Sequence, residues 1–306
     1  MNIQTIMKTG ASTPVLVKSN PAAPALIVLD AERIVVRAGV TFAGYTFKEA
    51  MPVQIAPDGA KLVPGADYGV TIDNGVPRAW RADRGVPVGD NVIGGFHVAP
   101  GGNATARRGG DTTPAINPWS IWDVNFRPAC SDPRGMARAF AEGKVFWFDI
   151  YLLGVNHHVD GTSRFNVTIA DGLGRPVNPA TGKPHTKLDY KTAVAVLANH
   201  GKQVPSHAEF IALAHGVTER TTHSGDPVTT KWDAPRVSQH GANQATGNLW
   251  VWGHDGDPDE PRASILGGSW WNDGHAGSRY AHVDYWADGS SELFGARGRS
   301  DHLQPG

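Results

Sequence analysis

Between Phe146 and Leu153 the chain runs Phe-Trp-Phe-Asp-Ile-Tyr-Leu-Leu, its most apolar stretch. A run of strand length with no polar face reads as a strand buried on both sides. A central strand is therefore predicted there, and a 306-residue chain can build a sizeable core and two or three domains around it.

Upstream, short β-branched runs alternate with turn residues. Ala25–Leu29, Ile34–Val36, Val40–Phe42, Met51–Ile55 and Tyr68–Ile72 are each strand-length and bounded by Gly, Pro or Asp-Gly. Asp58-Gly59 and Asp73-Asn74-Gly75 carry hairpin-turn chemistry. This region is predicted to be antiparallel β with little helix. A glycine-rich linker is expected from Ala99 to Asp111, where Gly101-Gly102 and Gly109-Gly110 cluster.

Downstream, two helices are legible. One runs from Tyr190 to Asn199 with Ala193, Val194, Val196 and Leu197 apolar, and stops at His200-Gly201. The other starts at Ser206, where Glu209 completes a capping box; it buries Phe210, Leu213 and Ala214 and ends at Gly216. Loops and short strands follow, among them Asn248–Trp252 and Ser264–Leu266.

Charge and cysteine content exclude several functions. A net charge of −1 and a pI of about 6.9 leave no electrostatic footprint for nucleic acid or an anionic membrane. A single cysteine, Cys130, excludes an internal disulfide and a thiolate zinc cluster. No apolar run is long enough to insert in a membrane. Residues Met1–Asn20 lack the apolar core of a secretion signal, so folding in a cytoplasm is expected.

No catalytic constellation stands out. Ser, His and Asp are plentiful, but no Gly-x-Ser-x-Gly lies between a strand and a helix. His157-His158 with Asp160 could ligate a metal; a polar turn after the apolar run is the commoner reading. Asp255-Gly-Asp257-Pro-Asp259-Glu260 has the alternating carboxylates of a calcium loop without the full EF-hand pattern, so a solvated acidic loop is the commoner reading. No cofactor is expected, calcium being the one candidate.

The terminal block Gly267–Leu303 is different in kind. Gly267-Gly268, Trp270, Gly277-Ser278-Arg279, Gly295-Ala296-Arg297-Gly298 and Asp301-His302-Leu303 frame a run rich in Trp, Tyr, His, Asp, Asn and Ser. Those types supply contact area and adaptable hydrogen bonds at small entropic cost, as in antibody paratopes. The block is expected to be a recognition surface.

Four segments in order, Gln203–Phe210, Gly247–Trp252, Leu266–Trp270 and Gly295–Arg297, resemble the formylglycine-generating-enzyme type of C-type lectin fold. A narrower likeness joins Ile93–Asn103, Trp122–Pro128, Asp132–Met136, Phe148–His157, Asp160–Ser163 and Asn166–Gly172 to the terminal frame. From about residue 66 onward the chain resembles the major tropism determinant family, receptor-binding tail proteins of phages that carry diversity-generating retroelements.

The resemblance implies an α+β fold: a β-rich N-terminal region, β-prism- or β-sandwich-like, then a C-type lectin-like domain with two helices and long irregular loops. The expected divisions are 1–60, an N-terminal β module; 61–128, a β-sandwich-like intermediate region; and 129–306, the lectin-like receptor-binding domain. It also implies a homotrimer at a phage tail-fibre tip, joined to other tail-fibre proteins of the virion. The partner would be a host-cell surface protein or glycan receptor, and there would be no catalysis. Within the frame, the positions that such a retroelement rewrites are Ser269, Trp271, Asn272, Asp273, His275, His282, Asp284, Tyr285, Gly289, Ser291, Leu293 and Phe294. Adenine-directed change of an Asn codon does not reach Trp, so Trp271 stands outside the accessible set. Trp250, Trp252 and Trp270 are read as core, and Arg279 and Arg297 as buried braces, since a guanidinium carries five donors in a rigid fork. The competing readings are a structural virion protein without a variable face and a formylglycine-generating-type enzyme. The enzyme needs a cysteine thiolate near the C-terminus, where this chain has Gly298.

Overall fold

A computed structural model describes residues 15–82, 91–256 and 262–303. In the amino-terminal part, β1 (Leu16–Val17), β2 (Leu26–Val28), β3 (Ile34–Val36), β4 (Thr41–Phe42), β5 (Tyr45–Thr46) and β6 (Met51–Pro52) form small antiparallel sheets ordered β1-β4-β5 and β2-β3-β6. A larger sheet contains β7 (Gln54–Ala56), β8 (Asp67–Asp73), β9 (Val76–Arg81), β10 (Val92–Ala99) and β11 (Ala115–Ile116). Its order is β11-β10-β8-β9-β7, and β12 (Trp122–Asp123) also pairs with β10.

The β8–β9 hairpin closes through Asn74 and Gly75, at φ 51° and 79°, the two left-handed residues that a two-residue loop requires. Asp58-Gly59 is also a turn but makes no hairpin, because β7 pairs in parallel with β9. One apolar cluster joins Leu26, Val36 and Phe47 of the small-sheet region to Tyr68, Ile93, Phe96 and Ile121. The expected division at residue 60 thus runs through a shared core.

The predicted linker at 99–111 is not one. Ala104 N–H donates to Ser238 O at 3.1 Å, Gly109 N–H to Gly216 O at 2.9 Å and Trp232 Nε1 to Asp111 O at 2.6 Å. Its glycines permit close packing: a Cβ on Gly101 would collide with Asp111 O and the Trp232 ring.

The carboxyl-terminal half contains β13 (Met136–Ala141), β14 (Lys144–Asp149), β15 (Trp250–Gly253), β16 (Arg262–Leu266), β17 (Ala281–Trp286), β18 (Phe294–Gly295) and β19 (Arg299–Asp301). They form a sheet ordered β13-β14-β19 and another ordered β17-β16-β15-β18. The apolar run stays buried through Leu153, but its strand stops at Asp149, whose carboxylate meets Lys202 Nζ at 2.6 Å and accepts from Gly298 N at 3.1 Å. Beyond it the chain bonds to the terminal frame, with Leu153 N–H donating to Ala296 O at 2.9 Å.

The helices are α1 (His157–Asp160), α2 (Tyr190–Ala198) and α3 (His207–Leu213). Asp189 caps α2 at Thr192 N, 2.8 Å. Ser206 and Glu209 make the predicted reciprocal capping box of α3 at 3.1 and 2.9 Å. Glu209 also binds Arg299 at 2.7 Å, tying that helix to β19. Where a polar turn was expected, α1 forms one helical turn and buries His157, whose ring lies 5.1 Å from that of His200.

Candidate functional site

The terminal frame is held mainly by backbone. Gly267, at φ 92°, donates to Tyr280 O at 2.7 Å and accepts from Gly277 N at 3.0 Å. Arg297 is fully buried and donates to the carbonyls of Asp149, Ile150 and Asn243 at 2.6, 2.7 and 2.7 Å. Burial pushes its pKa down to about 10, so it remains a cation bracing two chain segments, 149–150 and 243–244, against its own. Trp250 and Trp252 are buried as expected in one apolar cluster, and Trp270 is half-buried against another, which includes Phe210, Leu249 and Leu266. Arg279 is the exception: it is exposed rather than a buried brace, and the residue held inside at that corner is Ser278.

The twelve expected positions separate by environment. Trp271, Asp273, His275, His282 and Asp284 are exposed, Trp271 at 70%. Asn272, Tyr285, Gly289, Ser291 and Leu293 are half-buried. Tyr285 packs against the rings of Phe294 and Trp252, at 5.2 and 6.2 Å. Ser291 O accepts from Gly172 N at 2.9 Å, and Leu293 O accepts from Trp250 N at 2.8 Å. Two positions are inside. Ser269 donates its N–H and hydroxyl to Asn272 Oδ1 at 2.8 and 2.6 Å, closing the turn that starts the loop. Phe294 stacks on Trp252 at 5.3 Å. Neither presents its side chain to solvent in this chain.

The structure adds residues that the frame comparison misses. Val283 and Trp286 are 49% and 60% exposed on β17, an edge strand of its sheet. Ala263 pairs with Tyr285 and Ile265 with His282, so β17 carries an extra residue between them, a β-bulge. The bulge directs His282 and Tyr285 toward Trp250 and Trp252. Recognising Ala281–Trp286 as a strand from its β-branched and aromatic content would have exposed this signal.

A cavity of about 710 Å³ is lined by Glu142, Lys144, Glu209, Arg299, Asp301 and His302, and one of about 310 Å³ by His223, Asp226, Lys231 and Trp232. None of the twelve positions lines either. Of the candidate calcium loop, Asp255 accepts from His207 N and Ser264 Oγ at 2.7 and 2.8 Å, and residues 257–260 lie outside the described residues. In the candidate histidine set, Asp160 pairs with Arg164 at 3.3 Å. Burial depresses the His157 pKa strongly, with Lys202 adding to the effect. A Cβ on Gly298 would collide with Asp149 Oδ2 and lie 2.9 Å from Lys202 Cδ, so this corner has no room for a thiol. Cys130 is buried beside Met136 Sδ at 3.5 Å, and burial raises its pKa away from the reactive thiolate.

No protein-family model matches the chain. The tail fiber receptor-binding protein of Bordetella phage BPP-1 is 39% identical, across 82% of this chain and 76% of that protein. The Major Tropism Determinant I1 variant superposes with a TM-score of 0.86 at 34% identity, covering 96% of this chain and 89% of that one. The M1 variant gives 0.85 at 34% identity, covering 97% and 89%. The N-terminal β region is thus shared along with the C-type lectin-like domain. In sequence and in fold, the chain belongs to the major tropism determinant family of tail fiber receptor-binding proteins.

Proposed function

We propose that this chain attaches a phage virion to its host by binding a cell-surface receptor, protein or glycan, through the face around Trp271, His275, His282 and Asp284. The observation that supports this reading is the separation of exposed side chains from a buried frame. Trp271 and Trp286 stand 70% and 60% exposed, while Gly267, Ser278 and Arg297 of the frame are buried. Large aromatics in water are unfavourable unless a partner covers them, and they are the types that dominate binding energy when covered. Several face positions are exposed, so a retroelement could rewrite them without unfolding the chain; Ser269 and Phe294 are buried, and rewriting there would disturb packing.

The protein acts as a homotrimer at the tail-fibre tip, docked on other tail-fibre proteins. One face binds weakly, and several copies on one virion raise avidity through effective concentration. The contact is non-covalent and uses no cofactor, and no enzymatic step is involved. The purified protein should compete with phage for adsorption to host cells, and Trp271→Ala should weaken that competition at unchanged melting temperature. Equal competition by the variant would sink the assignment of the face. A neighbouring repeat differing from the last codons at adenines would support diversification, and its absence would leave a fixed adhesin.

A further inference from the structure

The loop that carries Trp271, Asn272, Asp273 and His275 is fastened from outside the terminal block. Glu219, in the segment after α3, accepts twice from Ser278: Oε2 takes the backbone N–H at 3.0 Å, and Oε1 takes the hydroxyl. Its neighbour Arg220, at φ 59°, donates its own N–H to Ala276 O at 2.8 Å. Gly277 lies between these contacts, and a Cβ there would collide with Glu219 Oε2. Two consecutive residues therefore grip Ala276 and Ser278, on either side of Gly277.

The grip is itself anchored. Thr218 N–H donates to Pro235 O at 2.8 Å, Thr221 Oγ1 returns to Thr218 O at 2.8 Å, and His223 N–H donates to Gly247 O at 2.8 Å. Gly247 N–H in turn donates to Gly267 O at 3.2 Å, where the frame begins. The segment 218–223 is thus a strut between the lectin core and the far end of the loop.

We propose that Glu219 is a positioning residue of the receptor face, holding the 271–275 loop in its binding conformation whatever side chains the loop carries. The inference rests on the receptor-binding reading above. Its support is the nature of the contacts. Glu219 touches a backbone amide and the hydroxyl of a frame residue, and neither changes when the exposed positions change. A carboxylate is suited to the task because both oxygens accept and charge-assisted bonds are the stronger kind. Ordering a loop before binding removes an entropic penalty from association. Glu219 also lies upstream of Gly267, outside the block that a terminal rewriting would alter. This accounts for Gly277 and Ser278 within the frame: one makes room for the carboxylate and the other completes its bonding.

The test uses the full chain with Glu219→Ala, Glu219→Gln and Trp271→Ala, measuring backbone hydrogen exchange and competition for phage adsorption. Glu219→Ala should speed exchange in 271–280 by about tenfold, the equivalent of one charge-assisted hydrogen bond, and leave 250–253 unchanged. Competition should fall by a similar factor. Glu219→Gln keeps one acceptor and should lie between; it also serves if the alanine variant does not fold. Trp271→Ala should weaken competition with exchange unaltered. Unchanged exchange in the Glu219 variants would overturn the proposal. So would faster exchange with undiminished competition while Trp271→Ala competes poorly. If every variant competes as well as the parent, the receptor face itself is misassigned and the positioning role falls with it, while exchange still shows whether the clamp exists.

Discussion

Lys202 Nζ lies 2.6 Å from Asp149 Oδ1, and both side chains are buried, at 0% and 1% exposure. The pair sits where the most apolar run of the chain would otherwise continue as a strand. Asp149 also takes the N–H of Gly298, so one carboxylate joins the end of β14, the residue after α2 and its loop, and the terminal frame. A buried pair of this kind contributes little net stability, but removing one partner strands the other charge. Lys202→Met should lower the unfolding free energy by about 3–5 kcal/mol in denaturant titration. Adding Asp149→Asn should recover part of that loss, since the stranded carboxylate is then gone. A single variant as stable as the parent would contradict this account.

Gly298 faces the same pair. A side chain there meets Asp149 Oδ2, Lys202 Cδ at 2.9 Å and Leu197 Cδ2 at 3.0 Å. Gly298→Cys should therefore destabilise by about 1–3 kcal/mol through overpacking. Its thiol should react slowly with a thiol reagent in the native protein. Rapid native labelling at an unchanged melting temperature would show that the corner is roomier than its geometry implies.

The terminal block predicts two opposite responses from two of its aromatic positions. Trp271 is 70% exposed, so Trp271→Ala should change stability by less than about 0.5 kcal/mol. Phe294 is stacked on Trp252 at 5.3 Å and packed by Tyr285 at 5.2 Å. Phe294→Ala should cost about 3–5 kcal/mol. Thermal melts of both decide whether frame and face divide where burial places the boundary.

What the sequence revealed and what it hid follow from the range of the forces involved. The capping box at Ser206 and Glu209 and the turn at Asn74-Gly75 are local, so residue type alone specified them. Arg297 was recognisable as a brace because the fold recurs with that motif. The end of the strand at Asp149 was hidden because its cause, Lys202, is remote in sequence. The same holds for the glycine-rich 99–111 segment, whose partners Gly216, Trp232 and Ser238 come from the other half of the chain. In the site, the frame was legible from its glycines. The inward turn of Ser269 and Phe294 depends on Asn272 and Trp252, and the bulge in β17 on its pairing with β16.

His240 sets an acid limit on the fold. It is 6% exposed, and its ring lies 4.6 Å from that of Trp119. Burial is the main cause that pushes its pKa from 6.5 to about 4; His215 and Arg138 push the same way, and a hydrogen bond to the Ala212 backbone opposes them. Below about pH 6.5 the unfolded chain takes up a proton that the folded chain refuses until about pH 4. The unfolded state then binds more protons, so stability is full above pH 6.5 and declines as pH falls toward 4. The loss from this group is on the order of 2–3 kcal/mol by the lower limit. His157, also depressed chiefly by burial, adds in the same direction. Denaturant unfolding at pH 7.5 and 4.5 measures the slope, and His240→Gln should flatten it whatever its effect at neutral pH. An equally steep decline in that variant would assign the acid sensitivity to other groups.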